Sequence, residues 1–157
     1  MSEQQSARGP SSYPVDLARR LVGGLLKSDP GQSLPRLADV HPGVPSAGRW
    51  IGLRTVPVEC IRGTASTRAS RGEDFRPLIG REPADWPTRW SRLVSAARDQ
   101  AILPPVDLLR ADGDYWVVDG HNRVALARER GQLWIDADVT ELDVSSRGIA
   151  SACAKEN

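Results

Sequence analysis

One stretch constrains this chain more than any other: a run of apolar residues that ends in Asp-Gly and passes directly into a helix. Tyr115–Asp119 reads as a buried strand, Asp119-Gly120 as a tight turn, and His121–Arg130 as a helix stopped by Gly131. The first amides of such a helix have no intrahelical partner and sit at the positive end of its dipole. A turn of this kind is a ready site for an anion. Gly120 permits close backbone approach because it has no side chain. Arg123, in the first turn, has a guanidinium that can fork onto a phosphate. His121 and Asn122 add donors, and Asp119 adds a carboxylate able to hold a divalent metal or accept a proton. The same residues also satisfy a purely structural account, with Asp119 as the helix N-cap, Gly120 as a turn glycine and Arg123 paired to a nearby acid. Residue chemistry alone leaves the two accounts level.

The elements around this stretch predict an α/β domain with a small mixed sheet and packed helices. Trp50–Val58 reads as a strand leading into Cys60-Ile61, and Arg62–Ser70 as a long polar loop. Trp86–Arg98 reads as a helix, because Trp90, Leu93, Val94 and Ala97 share one face and Pro87 suits its start. Val106–Arg110 and Tyr115–Asp119 form a hairpin around Asp112-Gly113, and Leu133–Thr140 is a further strand. Residues 1–48 read as an N-terminal extension with one amphipathic helix over Val15–Lys27 and a turn of helix around Leu34–Val40. The domain proper is expected over 49–142, with a flexible tail over 143–157. The helix over Val15–Lys27 packs on the sheet or makes a homodimer contact. Trp50, Trp86, Trp90, Trp116 and Trp134 are expected in the core. Phe75 either stacks on a base or plugs its loop onto the domain, and the plug is the simpler reading.

Charge and cysteine content exclude several classes. The 157 residues carry a net charge of +1, which argues against a polybasic nucleic-acid binder as a whole. Residues 54–98 nevertheless hold nine arginines against five acids, while 99–157 are acidic. Two cysteines cannot build a disulfide scaffold or a cysteine zinc site. No apolar run approaches the length of a membrane span. Met1–Ser12 lacks the basic-then-apolar order of a secretion signal. A cytoplasmic, membrane-free protein is expected.

The residues Val117–Arg128, with Gly131 after them, resemble the signature of the ParB/sulfiredoxin superfamily, in particular its small stand-alone members. Leu103–Leu109 and Ile135–Thr140 resemble the flanking strands, Val56–Ile61 the opening strand and turn, and Gly63-Thr64 the loop after it. Asp74–Pro77 and Arg89-Trp90 are similar to segments of stand-alone members. The likeness spans about residues 50–141. Where sulfiredoxin-like enzymes place a nucleophilic cysteine, this chain has His121, so the resemblance does not imply sulfinic-acid reduction. The paired arginines of partition proteins are replaced by Asn122-Arg123, and the residues after Gly131 are too few for a helix-turn-helix. No histidine–carboxylate cluster specifies phosphodiester cleavage.

The resemblance implies a nucleotide-binding domain in which Gly120, His121, Asn122 and Arg123 hold phosphates and Gly63, Thr64 and arginines of the middle segment close over them. The expected ligand is CTP, ATP or ADP with Mg2+, and no metal site built by the protein alone. Free-serine kinases of the same fold carry Asp-Gly-His-x-Arg, which Asp119–Arg123 matches. That branch implies catalytic roles for Asp119 and His121, and for Glu59 as the glutamate near the first strand, although Glu59 also reads as a solvent-facing strand end. The remaining alternative is a non-enzymatic DNA- or partner-binding accessory module, with Arg62–Arg98 as its surface.

Overall fold

The computed structural model describes residues 33–45, 47–67 and 70–144. The helix expected over Val15–Lys27 lies outside them, as does the tail from residue 145. The described chain forms α1 (Leu37–Val40), β1 (Arg49–Pro57), a 3-10 turn (Val58–Cys60), β2 (Ile61–Thr64) and α2 (Trp86–Arg98). After these come β3 (Val106–Ala111), β4 (Asp114–Asp119), α3 (His121–Glu129) and β5 (Trp134–Glu141). The class is α/β, with one five-stranded mixed sheet in the order β1-β5-β3-β4-β2. β1–β5 and β3–β4 run antiparallel, whereas β3–β5 and β2–β4 run parallel.

Both longer helices cover one face of the sheet. Trp86 and Trp90 of α2 and Val124, Ala125 and Leu126 of α3 bury against Val56, Val106, Leu108, Val117 and Val139. Each such side chain, fully buried, contributes on the order of 1.5–3 kcal/mol. The opposite face is closed in part by Leu37, Leu142 and Trp116. Helix α2 begins with Pro87 in its first turn, where a missing N–H costs nothing. The β3–β4 hairpin turns through Asp112 and Gly113, both at positive φ, as a two-residue type I′ connection requires.

Three expectations are corrected, and the plug reading of Phe75 agrees with the structure. The segment from Arg62 is not loop from the outset, because Ile61–Thr64 is a strand paired in parallel with β4. Part of the expected N-terminal extension is integral to the domain: Leu34 and Leu37 are buried, Thr64 N–H donates to the Pro35 carbonyl (2.9 Å), and Arg36 bridges to Thr64. Trp50 and Trp134 are not core residues, being 69% and 53% exposed at the β1–β5 end of the sheet. Phe75 has no solvent exposure and carries the Arg128 guanidinium 4.5 Å over its ring, so it is a plug and cannot stack on a base.

Within the arginine-rich segment, three of the described arginines are paired with acids. Arg62 pairs with Asp114 and Arg89 with Asp85, while the buried Arg76 binds Glu129 at 2.6 Å and stacks over Trp90. Arg71 turns towards the start of α3.

Candidate functional site

The turn between β4 and α3 is built around Gly120, the helix N-cap. Its φ of +93° lies in the left-handed region that favours glycine, and no side chain caps the helix. Asp119 therefore does not serve as N-cap. A Cβ at Gly120 would lie 2.7 Å from Val106 Cγ1 and 2.9–3.0 Å from the Arg123 guanidinium, so space as well as conformation demands glycine. The first helical hydrogen bonds run from Arg123 N–H (2.8 Å) and Val124 N–H (3.0 Å) to the Gly120 carbonyl. The amides of His121 and Asn122 are thus left without intrahelical partners.

The Arg123 guanidinium, which lines the cleft, is also engaged within the protein. Its Nη1 donates to the Pro104 and Pro105 carbonyls (2.6 and 2.5 Å), and its Nη2 donates to Asp119 Oδ2 (2.9 Å). The side chain is 17% exposed, whereas that of Asp119 is 73% exposed. Arg123 therefore clamps the 103–105 connection onto the turn and leaves the Asp119 carboxylate facing solvent.

A second guanidinium at the helix start is that of Arg71. Its Nη1 donates to the Asn122 side-chain oxygen (2.9 Å) and to the Phe75 carbonyl (2.8 Å). Burial lowers its pKa from the ordinary arginine value, with Asp119 and Asp74 acting in the opposite direction; the group stays charged at any physiological pH. Sequence reading missed Arg71 as an individual residue, because its partner Asn122 stands 51 positions away and no local pattern marks the contact.

His121 is buried and is fixed by Thr64, whose Oγ1 lies 2.8 Å from its Nε2. That hydroxyl also accepts from Ser66 N–H (3.0 Å) and lies 3.3 Å from the Val117 carbonyl. A hydroxyl has one proton and two lone pairs. All three contacts are satisfied together only when Thr64 donates to Val117 and accepts from a protonated Nε2. Nδ1 is then the acceptor nitrogen of a neutral ring. Burial, with the Arg71 charge adding to it and Asp119 opposing, pushes the His121 pKa down to about 4.

Arg71, Arg89, Leu93 and the whole Asp119–Arg123 turn line one open cleft of about 270 Å³. Thr64 supports His121 from beneath. Gly63 serves packing: a Cβ there would fall 2.1 Å from the Pro35 carbonyl, so the 34–36 segment covers it and it forms no loop over the cleft. Glu59 is exposed in the 3-10 turn before β2. Since Ile61 pairs with Tyr115 and Thr64 with Val117, Glu59 lies beyond the start of β4 and Asp119 at its end. The intervening length of strand is about 13 Å. The structure does not bring Glu59 to the site.

No family model matches the sequence, and no curated protein does. Among solved structures, the chain is similar to the crystal structure of sulfiredoxin from Arabidopsis thaliana, at 21% identity and a TM-score of 0.39. The match covers 57% of this chain and 84% of that one. That likeness bears on neither the ligand nor the chemistry of the site described above.

Proposed function

We propose that the protein binds a nucleotide through its phosphates at the start of α3, with Arg71 as the principal cation. The reading rests on one observation: the half-buried Arg71 lines the same cleft as His121 and Asn122, whose amides have no intrahelical partners. Each is a recognised donor to phosphate oxygens, and placed side by side their effects reinforce one another. Arg89, which also lines the cleft, adds a second guanidinium, one that is paired with Asp85 at the start of α2.

Mg2+ on a nucleotide needs no protein cage, because it keeps several waters and takes phosphate oxygens with one or two carboxylates. Asp119, solvent-facing beside Gly120, is suited to be that carboxylate. When bound, the ion neutralises adjacent phosphate charge. The chain's own residues then do the positioning. The amides of His121 and Asn122 orient phosphate oxygens, Arg71 holds them against Asn122, and the neutral His121 ring adds no charge of its own at pH 7.

A small ligand fits better than nucleic acid. Three of the middle-segment arginines, Arg62, Arg76 and Arg89, pair with acids, and Arg76 also stacks over Trp90, which reduces the positive charge open to a nucleic-acid backbone. Phosphotransfer of the serine-kinase type would have to proceed from Asp119 without Glu59. Calorimetric titration with CTP, ATP and ADP, with and without Mg2+, tests the proposal. Binding that is lost in Arg71→Ala supports it, and absence of heat across the panel at millimolar ligand refutes it.

A further inference from the structure

A second cleft, of about 340 Å³, adjoins the first, with Arg71 and His121 lining both. Its remaining walls include Ser66, Ser70, Pro77 and Arg81. Among the described residues no carboxylate lines it, unlike the cleft that holds Asp119. The Nη1 of Arg71 is committed to Asn122 and Phe75, so its other nitrogens remain available as donors. Arg81 makes no ion pair among the described residues.

The walls are also fixed in advance. Arg71 bridges to Pro77, Leu78 N–H donates to the Ser70 carbonyl (3.1 Å), and Arg81 N–H donates to the Leu78 carbonyl (2.9 Å). Gly80, at φ +77°, completes that last turn. The segment therefore closes on itself and holds the backbone at Arg81 in place beside the cleft, which lowers the ordering cost of binding. Arg71, Arg81 and two serines line one concave space whose lining holds no carboxylate; Asp119 and Asp74 act on the Arg71 charge from outside it, and the lining as a whole suits an anion.

We propose that this cleft binds a second small molecule through a carboxylate or phosphate group, beside the nucleotide of the Asp119 cleft. The proposal rests on the nucleotide reading only for the word "beside"; the second cleft stands on its own residues. The common wall of Arg71 and His121 would place the two ligands in adjacent chambers, as a two-substrate protein requires.

The test is a 15N-resolved NMR titration of the full chain saturated with Mg2+ and ADP, using malonate in one arm and inorganic phosphate in the other. The expected result is movement of the Ser70, Leu78, Arg81 and His121 amides in at least one arm, without displacement of ADP. Arg81→Ala is expected to weaken that anion at least tenfold while ADP affinity is unchanged. Stronger response to malonate identifies a carboxylate ligand, and to phosphate a phosphorylated one. Anion that competes with ADP, or binds Arg81→Ala as well as wild type, or moves none of these amides, overturns the proposal. If ADP itself does not bind, the nucleotide reading fails, and the same titrations on the unliganded protein still decide the second cleft.

Discussion

The guanidinium of Arg123 lies over the backbone of Gly120, close enough that a Cβ on the glycine would sit 2.9 Å from Nη2 and 3.0 Å from Nε. The relationship explains both residues at once. Glycine allows the turn to lie beneath the arginine, and the arginine ties that turn to the carbonyls of Pro104 and Pro105. Gly120→Ala should therefore destabilise through strain at positive φ and through contact with Val106, by about 2–4 kcal/mol in sum. Chemical denaturation should show a lower midpoint with an unchanged slope.

Arg123 and Arg71 should separate in their effects. Arg123→Ala leaves two carbonyls and the Asp119 carboxylate without their donor and should cost about 1–2 kcal/mol of stability. Arg71→Ala should reduce nucleotide affinity by about 10–100-fold, the loss of one charge-assisted contact. Thermal melts with calorimetry on both variants check this. The reverse pattern would return Arg123 to the role of phosphate ligand.

His121 predicts a pH dependence with a definite sign. Its folded pKa is about 4, below the unfolded value of about 6.5. The unfolded chain therefore takes up the proton first as pH falls. Stability contributed by the neutral ring is complete above about pH 6.5, is lost progressively down to about pH 4, and levels off below that. The loss amounts to about 3 kcal/mol at most. Urea unfolding between pH 4 and pH 7 should show this slope in wild type, and a shallower slope in His121→Asn.

Glu59→Gln should leave both nucleotide binding and any turnover at wild-type levels, because Glu59 is exposed at the opposite end of β4 from Asp119. Asp119→Asn, by contrast, should weaken the Mg2+-dependent part of nucleotide binding while sparing the metal-independent part. Titrations with and without the ion separate the two.

What the sequence disclosed and what it withheld follow from how local each signal is. Helix α2 was legible because Trp90, Leu93, Val94 and Ala97 repeat at helical spacing, and its observed span is Trp86–Arg98. The β3–β4 turn was legible from Asp112-Gly113 alone. Strand β2 was not: it is four residues long, and its pairing to β4 crosses more than fifty positions. Gly63 resembled a ligand loop, yet its lack of a side chain answers to Pro35, a contact no local pattern encodes. Trp50 and Trp134 carry the apolar character of core residues, but lie where the sheet face is uncovered. The Asp119–Arg123 turn was placed correctly as the start of a helix, while the engagement of Arg123 with Pro104 and Pro105 and of Arg71 with Asn122 depends on tertiary contacts.

The most direct measurement is the affinity of Mg2+-nucleotide for wild type and for Arg71→Ala, by calorimetry on the full chain. The account predicts saturable one-site binding to wild type and a loss of at least tenfold in the variant, with the fold intact by circular dichroism. Equal affinity for the two proteins, or none for either, would contradict it.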